Sequence, residues 1–217
     1  MLMKVFPHGT GEGDKPSRYL VRPDYPGRDT APPHVLRGDP AMTRALIDSI
    51  ERRWKFTSGV LSWHPDEKIS EAQEEEVIDA FECVAFAGLD ADQRNILWVR
   101  HTHAGHHELH FLIPRLELSS GKDFNACPPG WQKDFDVFRD LFNWREGWAR
   151  PDDPARARDE LPKKADLFKA HMERWGREIR ESDRNRAKEV IHAFLKEKVT
   201  QGLVRNREDI LSALKEQ

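Results

Sequence analysis

Six side chains able to bind a metal ion crowd into ten positions of the chain: His101, His103, His106, His107, Glu108 and His110. The runs on either side, Asn95 to Val99 and Leu109 to Ile113, are rich in apolar, β-branched and aromatic residues. A short Gly-containing segment separates them, and this pattern predicts a β-hairpin. With Ala104 and Gly105 as a two-residue turn, counting outward pairs His103 with His106, His101 with Glu108 and Val99 with His110. Alternate side chains of a strand share a face, so Glu108 and His110 point the same way, and His101 lies opposite Glu108 at a Cβ separation of about 5 Å. His103 and His106 extend that face toward the turn, while His107, Leu109, Phe111 and Ile113 occupy the other. Two imidazoles and a carboxylate on one side suit Mn²⁺, Zn²⁺, Ni²⁺ or Fe²⁺ and leave coordination positions open to substrate oxygens. The bland counterpart is a solvated histidine cluster or a structural zinc site. A zincin helix is excluded, because His107-Glu108 lacks the x-x-His that must follow and lies on a strand.

The elements that must carry this hairpin follow from periodicity and caps. Met1 to Phe6 reads as a strand ended by Pro7 and the glycines that follow. A loop then carries Lys15, Arg18, Tyr19 and Arg22, and the Pro- and Gly-rich stretch from Pro23 to Pro33 reads as extended or mobile. Asp39-Pro40 starts a helix expected to run to about Arg53. Thr57 to Trp63 is strand-like, and Ser70 to Phe86 is an acidic amphipathic helix with Val77, Ile78, Phe81 and Val84 on one side. Trp131 to about Trp148 is helical, and after Pro151 the chain reads as almost purely helical, with a break near Gly202 and a last helix from about Asn206. The expected organisation is therefore a domain over residues 1–150 and a helical extension over 151–217.

Composition narrows the class. The chain has 217 residues, 38% hydrophobic and 34% charged, enough for one full-sized core. No apolar run approaches the ~20 residues of a bilayer span, and the start lacks the pattern of a secretory signal, so a cytoplasmic protein without membrane insertion is expected. Cys83 and Cys127 form no CxxC pair and read as ordinary thiols. The net charge of −3 does not by itself point to a nucleic-acid partner. Basic residues nevertheless outnumber acids in the first sixty positions, whereas acids dominate from Asp66 to Asp92.

The string from His101 to Pro114 resembles the metal motif of the MobA-type relaxases of small colicinogenic plasmids, within the HUH endonuclease superfamily. Those proteins use a His…Glu-x-Asn set; His101 and Glu108 match it, and His110 stands where the group has Asn. His103 falls where the group often has Asp. Further segments match in the same order: Tyr19-Leu20, Val35 to Pro40, Phe56 to Ser62, Gly88 to Gln93 and Ile96 to Val99. The resemblance covers most of residues 1 to 125.

It implies an α+β fold, a central antiparallel β-sheet flanked by helices. It implies nicking of one DNA strand at a plasmid's origin of transfer by tyrosine transesterification, with a 5′-phosphotyrosyl intermediate. Tyr19 takes the position of the nucleophile, and His101, Glu108 and His110 that of ligands to a divalent ion, Mn²⁺ or Mg²⁺. His103 takes an outer or proton-handling position. Lys15, Arg18 and Arg22 flank Tyr19 and are candidates for gripping phosphates, as Trp54, Trp63, Trp98 and Trp131 are for stacking on bases. Single-stranded DNA, accessory mobilization proteins and a coupling protein are the implied partners. Such relaxases continue beyond this length, so the chain reads as a short version or as part of a longer protein. A related replication initiator or transposase, a noncatalytic DNA-binding regulator with a structural metal, and a metal-dependent hydrolase of small phosphoesters are the alternatives.

Overall fold

The computed structural model describes residues 1–150, 152–154 and 183–215. The chain divides into two compact units, Met1–Asp159 and Glu160–Gln217. The boundary expected at Pro151 lies outside the described residues.

The first unit is α+β, as the resemblance implied. Its strands are β1 (Leu2–Val5), β2 (His34–Arg37), β3 (Phe56–Ser62), β4 (Leu97–His101) and β5 (Glu108–Pro114). They form one sheet in the order β1-β3-β5-β4-β2, with every neighbouring pair antiparallel. Four helices flank it: α1 (Asp14–Val21), α2 (Pro40–Asp48), α3 (Glu71–Ala85) and α4 (Gln132–Glu146). Strand alternation sorts the side chains into two cores. Leu61, Trp98, Leu109, Phe111 and Ile113 pack with Val77, Ile78 and Phe81 of α3 and Phe135, Phe138 and Phe142 of α4. On the opposite face Leu97, Val99 and Leu112 pack with Leu20 of α1 and Ile47 of α2.

Local chemistry explains where the helices start. The Asp39 carboxylate accepts from the Met42 N–H at 2.6 Å, with Pro40 in the first turn. Ser70 and Gln73 form a reciprocal capping box at the head of α3. The helix begun at Asp39 ends earlier than expected, at Asp48, because Ser49 and Ile50 close it and the chain must turn into β3.

Four other readings are corrected. Tyr19 does not sit in a loop: it is on α1, which forms because Asp14 and Pro16 suit a first turn while Ser17 and Leu20 bury one side. The stretch from Pro23 to Pro33 is a compact series of turns around the buried Arg28. His34–Arg37 is an edge strand that the sequence reading passed over. The hairpin tip is longer than two residues: the Gly105 N–H bonds the Thr102 carbonyl at 3.0 Å, with Gly105 at φ 81°, so His103 and Ala104 form the turn and His103 does not pair with His106.

In the second unit α5 (Asp183–Thr200) and α6 (Arg207–Lys215) flank the expected break at Gly202. Asn206 caps α6, its Oδ1 accepting from the Glu208 and Asp209 N–H groups at 2.8 and 3.0 Å. No described helix is long and apolar enough to cross a membrane.

Gly59 is a tightly packed point within β3. A Cβ there would lie 2.4 Å from the Phe111 ring and 2.5 Å from the Lys4 carbonyl oxygen. Gly59→Ala therefore forces apart β1, β3 and the Phe111 core, and a loss of about 1–3 kcal/mol is expected from overpacking. Denaturant unfolding checks it; an unchanged midpoint would mean that this packing is not tight.

Candidate metal centre and tyrosine pair

The register of β4 with β5 pairs His101 with Glu108 and Val99 with His110. His101, Glu108 and His110 each turn a ligand atom inward, and these atoms lie within 4.8 Å of one another. The His101 and His110 rings are 4.5 Å apart. Around this trio, His110 Nε2 lies 3.3 Å from Glu108 Oε2 and His106 Nε2 lies 3.0 Å from Glu108 Oε1.

Each group's charge follows from its surroundings. Burial pulls the His101 pKa down to about 4, so its imidazole is neutral near pH 7. Burial alone would raise the Glu108 carboxyl, but hydrogen bonds and charge from His110 and His106 outweigh it and hold the pKa at about 2. The trio thus presents one neutral imidazole and one carboxylate that is ionised without a metal. His101 Nε2 lies 2.8 Å from the Leu20 carbonyl and Nδ1 lies 3.3 Å from the Arg28 guanidinium. A carbonyl accepts only and a guanidinium donates only, so Nε2 carries the proton and Nδ1 the lone pair. A ring N–H held by a backbone carbonyl is the usual outer support of a metal-bound histidine. This donor set fits a divalent transition ion, which would have to displace the Arg28 contact at Nδ1.

The Leu20 carbonyl ties the site to α1, and the preceding residue is Tyr19. Its ring is 40% exposed, 6.3 Å from the His101 ring and 5.6 Å from that of Tyr25. Burial raises the Tyr19 pKa; Tyr25 and Glu108 add to the rise and Arg28 opposes it. His103 stands 5.3 Å from both His101 and Tyr25. Burial and then Arg28 lower its pKa, and its Nδ1 is buried without a hydrogen-bond partner.

Arg28 is the residue that sequence reasoning missed. It is 1% exposed, donates to the Tyr19 and Arg22 carbonyls at 2.6 and 3.1 Å, and lies 5.0 and 4.6 Å from the Tyr19 and Tyr25 rings. One cation therefore caps the carbonyl end of α1, bridges both tyrosines and touches His101. An arginine in a Pro- and Gly-rich stretch carries no periodic signal that would single it out.

Among the other expected contacts, Lys15 and Arg18 are exposed on α1, with Arg18 paired to Asp14 at 3.1 Å. Arg22 follows α1 and pairs with Asp24 at 3.0 Å. Trp63 and Trp98 are buried in the core, which removes them as stacking surfaces, whereas Trp54 is exposed beside Arg53. Cys83 and Cys127 are free thiols, and burial pushes Cys127 up to about 12.

On the far side of the hairpin, Glu74 of α3 is 4% exposed and lies 3.3 Å from Arg100 and 2.9 Å from His107. The Trp63 N–H also bonds the His107 carbonyl at 3.0 Å. These contacts hold the strand ends that carry His101 and Glu108.

Fold and site together define an α+β protein whose sheet bears a hairpin with a metal-type donor set against a helix carrying a tyrosine. Two curated proteins bear on its family. Cryptic plasmid protein C of Neisseria gonorrhoeae is 41% identical over 159 residues, 72% of this chain and 75% of that protein. The DNA relaxase MbeA of Escherichia coli is 34% identical over 168 residues, 75% of this chain. This chain spans 32% of that relaxase's length. The chain belongs to the plasmid mobilization relaxases of small plasmids. No family model matches it, and no solved structure does.

The depressed pKa values of His101 and Glu108 set an acid limit on stability. His101 falls from its ordinary 6.5 to about 4 and Glu108 from 4.5 to about 2. In both windows the unfolded chain binds more protons than the folded one, so stability falls as pH drops. Loss should begin below 6.5 through His101 and continue between 4.5 and 2 through Glu108. Thermal melts in EDTA across this range check it; a His101→Gln protein should lose the upper part of the slope.

Proposed function

We propose that the chain is a DNA relaxase that nicks one strand at a plasmid's origin of transfer, with Tyr19 as nucleophile and His101, Glu108 and His110 as ligands of a divalent ion. The observation that carries the reading is the placement of Tyr19 on α1, whose Leu20 carbonyl is bonded to His101. One hydrogen bond joins the helix of the nucleophile to the ligand set. Membership of the relaxase family supports the same reading.

The Tyr19 oxygen attacks the scissile phosphorus, the bond from phosphorus to the 3′ oxygen breaks, and a 5′-phosphotyrosyl link and a free 3′-OH result. A phenol suits a reversible cut, because the phenolate is both an attainable nucleophile and a competent leaving group on rejoining. Burial holds the Tyr19 phenol protonated at neutral pH, so attack requires a proton acceptor. The Tyr25 ring 5.6 Å from that of Tyr19, and the neutral His103 5.3 Å beyond Tyr25, support a route for that proton to His103. The departing 3′ oxygen takes up a proton, and the cut consumes none overall. Arg28 keeps both phenols in register. Bound at the trio, a divalent ion would supply Lewis-acid stabilisation of a nonbridging phosphate oxygen. Mn²⁺ and Mg²⁺ are the expected ions, with Mn²⁺ favoured by two imidazoles. Lys15, Arg18 and Arg22 grip phosphates flanking the cut. Accessory mobilization proteins and a coupling protein are the partners, the enzyme works in the cytoplasm, and residues 1–150 form the catalytic domain.

Incubation with transfer-origin single strands of the host plasmid and Mn²⁺ should yield a covalent protein–DNA product on a denaturing gel. Tyr19→Phe is expected to abolish both the adduct and the free 3′ end while DNA binding persists. Cleavage that survives in Tyr19→Phe would point to a water nucleophile, and binding without cleavage in the unaltered protein to a noncatalytic regulator.

Metal binding has its own readout. Titrating Mn²⁺ into the metal-free protein should raise the melting temperature through binding to the folded state. Glu108→Gln and His110→Ala should each lower the affinity at least tenfold. Equal Mn²⁺ stabilisation in all three proteins would remove this trio as the site.

A further inference from the structure

Behind the tyrosine helix lies a second polar site that shares only Arg18 with the proposed reaction. A cleft of about 240 Å³ opens between α1 and the start of α2, lined by Asp14, Ser17, Arg18, Val21, Ala41 and Arg44. Asp14, Ser17, Arg18 and Val21 have the i, i+3, i+4, i+7 spacing of one helix face. The Ser17 side chain is 96% buried by its 4% exposure, and its hydroxyl has no hydrogen-bond partner. Leaving a buried hydroxyl unmet is costly, and Ser17 is one of the residues that line the cleft.

Two arginines border it, each held by aspartate. Arg18 and Arg44 both reach Asp14, at 3.1 and 2.9 Å, and Arg44 Nε lies 3.6 Å from Asp48. Two guanidiniums line the cleft with the Asp14 carboxylate, and Asp48 balances the second of them, so an incoming anion must draw the arginines from these carboxylates. Arg44 spends Nη1 and Nε on these partners, and its guanidinium keeps further N–H donors at Nη2. Both arginines are more than half exposed and able to swing. The Asp39 carboxylate is turned onto the Met42 N–H and closes the first turn of α2, so the side chains of Ser17, Arg18 and Arg44 make up the site.

We propose that this cleft binds a backbone phosphate of the single-stranded DNA substrate, at a nucleotide beyond the one whose phosphate Tyr19 attacks; this rests on the relaxase reading. The Ser17 hydroxyl and the Arg44 guanidinium donate to its nonbridging oxygens, with Arg18 at the rim. Tyr19 follows Arg18 by about 100° around α1, and a helix is only ~10–12 Å across. A strand laid over Tyr19 therefore continues across Arg18 into the cleft. The subsite reads no base and sets the strand's position.

The test is anisotropy of a labelled transfer-origin single strand with metal-free full-length protein, comparing Arg44→Ala and Ser17→Ala with Lys68→Ala, an exposed charge removed elsewhere. Arg44→Ala should weaken binding roughly three- to tenfold and reduce the slope of log affinity against log salt by about 0.7. Ser17→Ala should weaken binding while its melting temperature stays level or rises, because it removes an unmet buried group. In a series of strands each carrying one neutral methylphosphonate, a single position should cost the unaltered protein affinity and cost Arg44→Ala none. If Arg44→Ala behaves as Lys68→Ala and every methylphosphonate cost persists in it, the subsite is refuted while the relaxase reading stands. Failure of the unaltered protein to bind or cut any such strand overturns both.

Discussion

The pairing of β4 with β5 is the constraint on which the candidate site depends. Side chains alternate along a strand, so a slip of one residue would carry Glu108 and His110 to the opposite face from His101. Burial on both faces prevents the slip. Leu97 opposite Leu112 belongs to the core under α1 and α2, and Trp98 opposite Phe111 to the core under α3 and α4. Because both cores must be satisfied together, the register has one acceptable solution. The metal-type trio sits at the open end of that ladder, where Glu74 and the Trp63 N–H hold the tip from behind.

Electrostatics then couples the hairpin to α1. A carboxylate, a neutral imidazole and a buried guanidinium share one small volume, and each constrains the others' protonation. Glu108 stays ionised because His106 and His110 face it. His101 stays neutral because burial disfavours its charge, which leaves a lone pair for Arg28 or for a metal. The guanidinium that borders this lone pair also closes α1 and bridges the two tyrosines. Arg28 thus joins the ligand-type face to the helix that carries Tyr19, beside the bond from His101 to the Leu20 carbonyl. On the other flank of that helix lies the cleft lined by Ser17 and Arg44.

Much of this was legible in the chain itself. His101, Glu108 and His110 follow from strand period two and a hairpin signal, and counting outward from Ala104 and Gly105 pairs His101 with Glu108 and Val99 with His110 as in the folded protein, although the His103–His106 pair it also gave does not form because the turn is longer. Asp39-Pro40 and Ser70 mark helix starts because their side chains satisfy backbone N–H groups within three residues. Periodicity likewise separates Phe111 from His110. These features are local: each depends on neighbours in sequence and on the fixed geometry of strands and helices.

What the chain alone did not reveal is long-range. The helical state of Tyr19 depends on Leu20 being buried against Leu97, Val99 and Leu112, and an eight-residue segment has too little propensity to show it. The edge strand His34–Arg37 forms only because β4 offers it a partner. Arg28 acquires its role from Tyr19, Tyr25 and His101, the last lying 73 positions away. Sequence determined the hairpin, its ligand-type face and the helix caps, because covalent spacing dictates which side chains share a side. Tertiary structure decided that a tyrosine, an arginine and that face meet, because only burial across distant segments overcomes the cost of bringing them together.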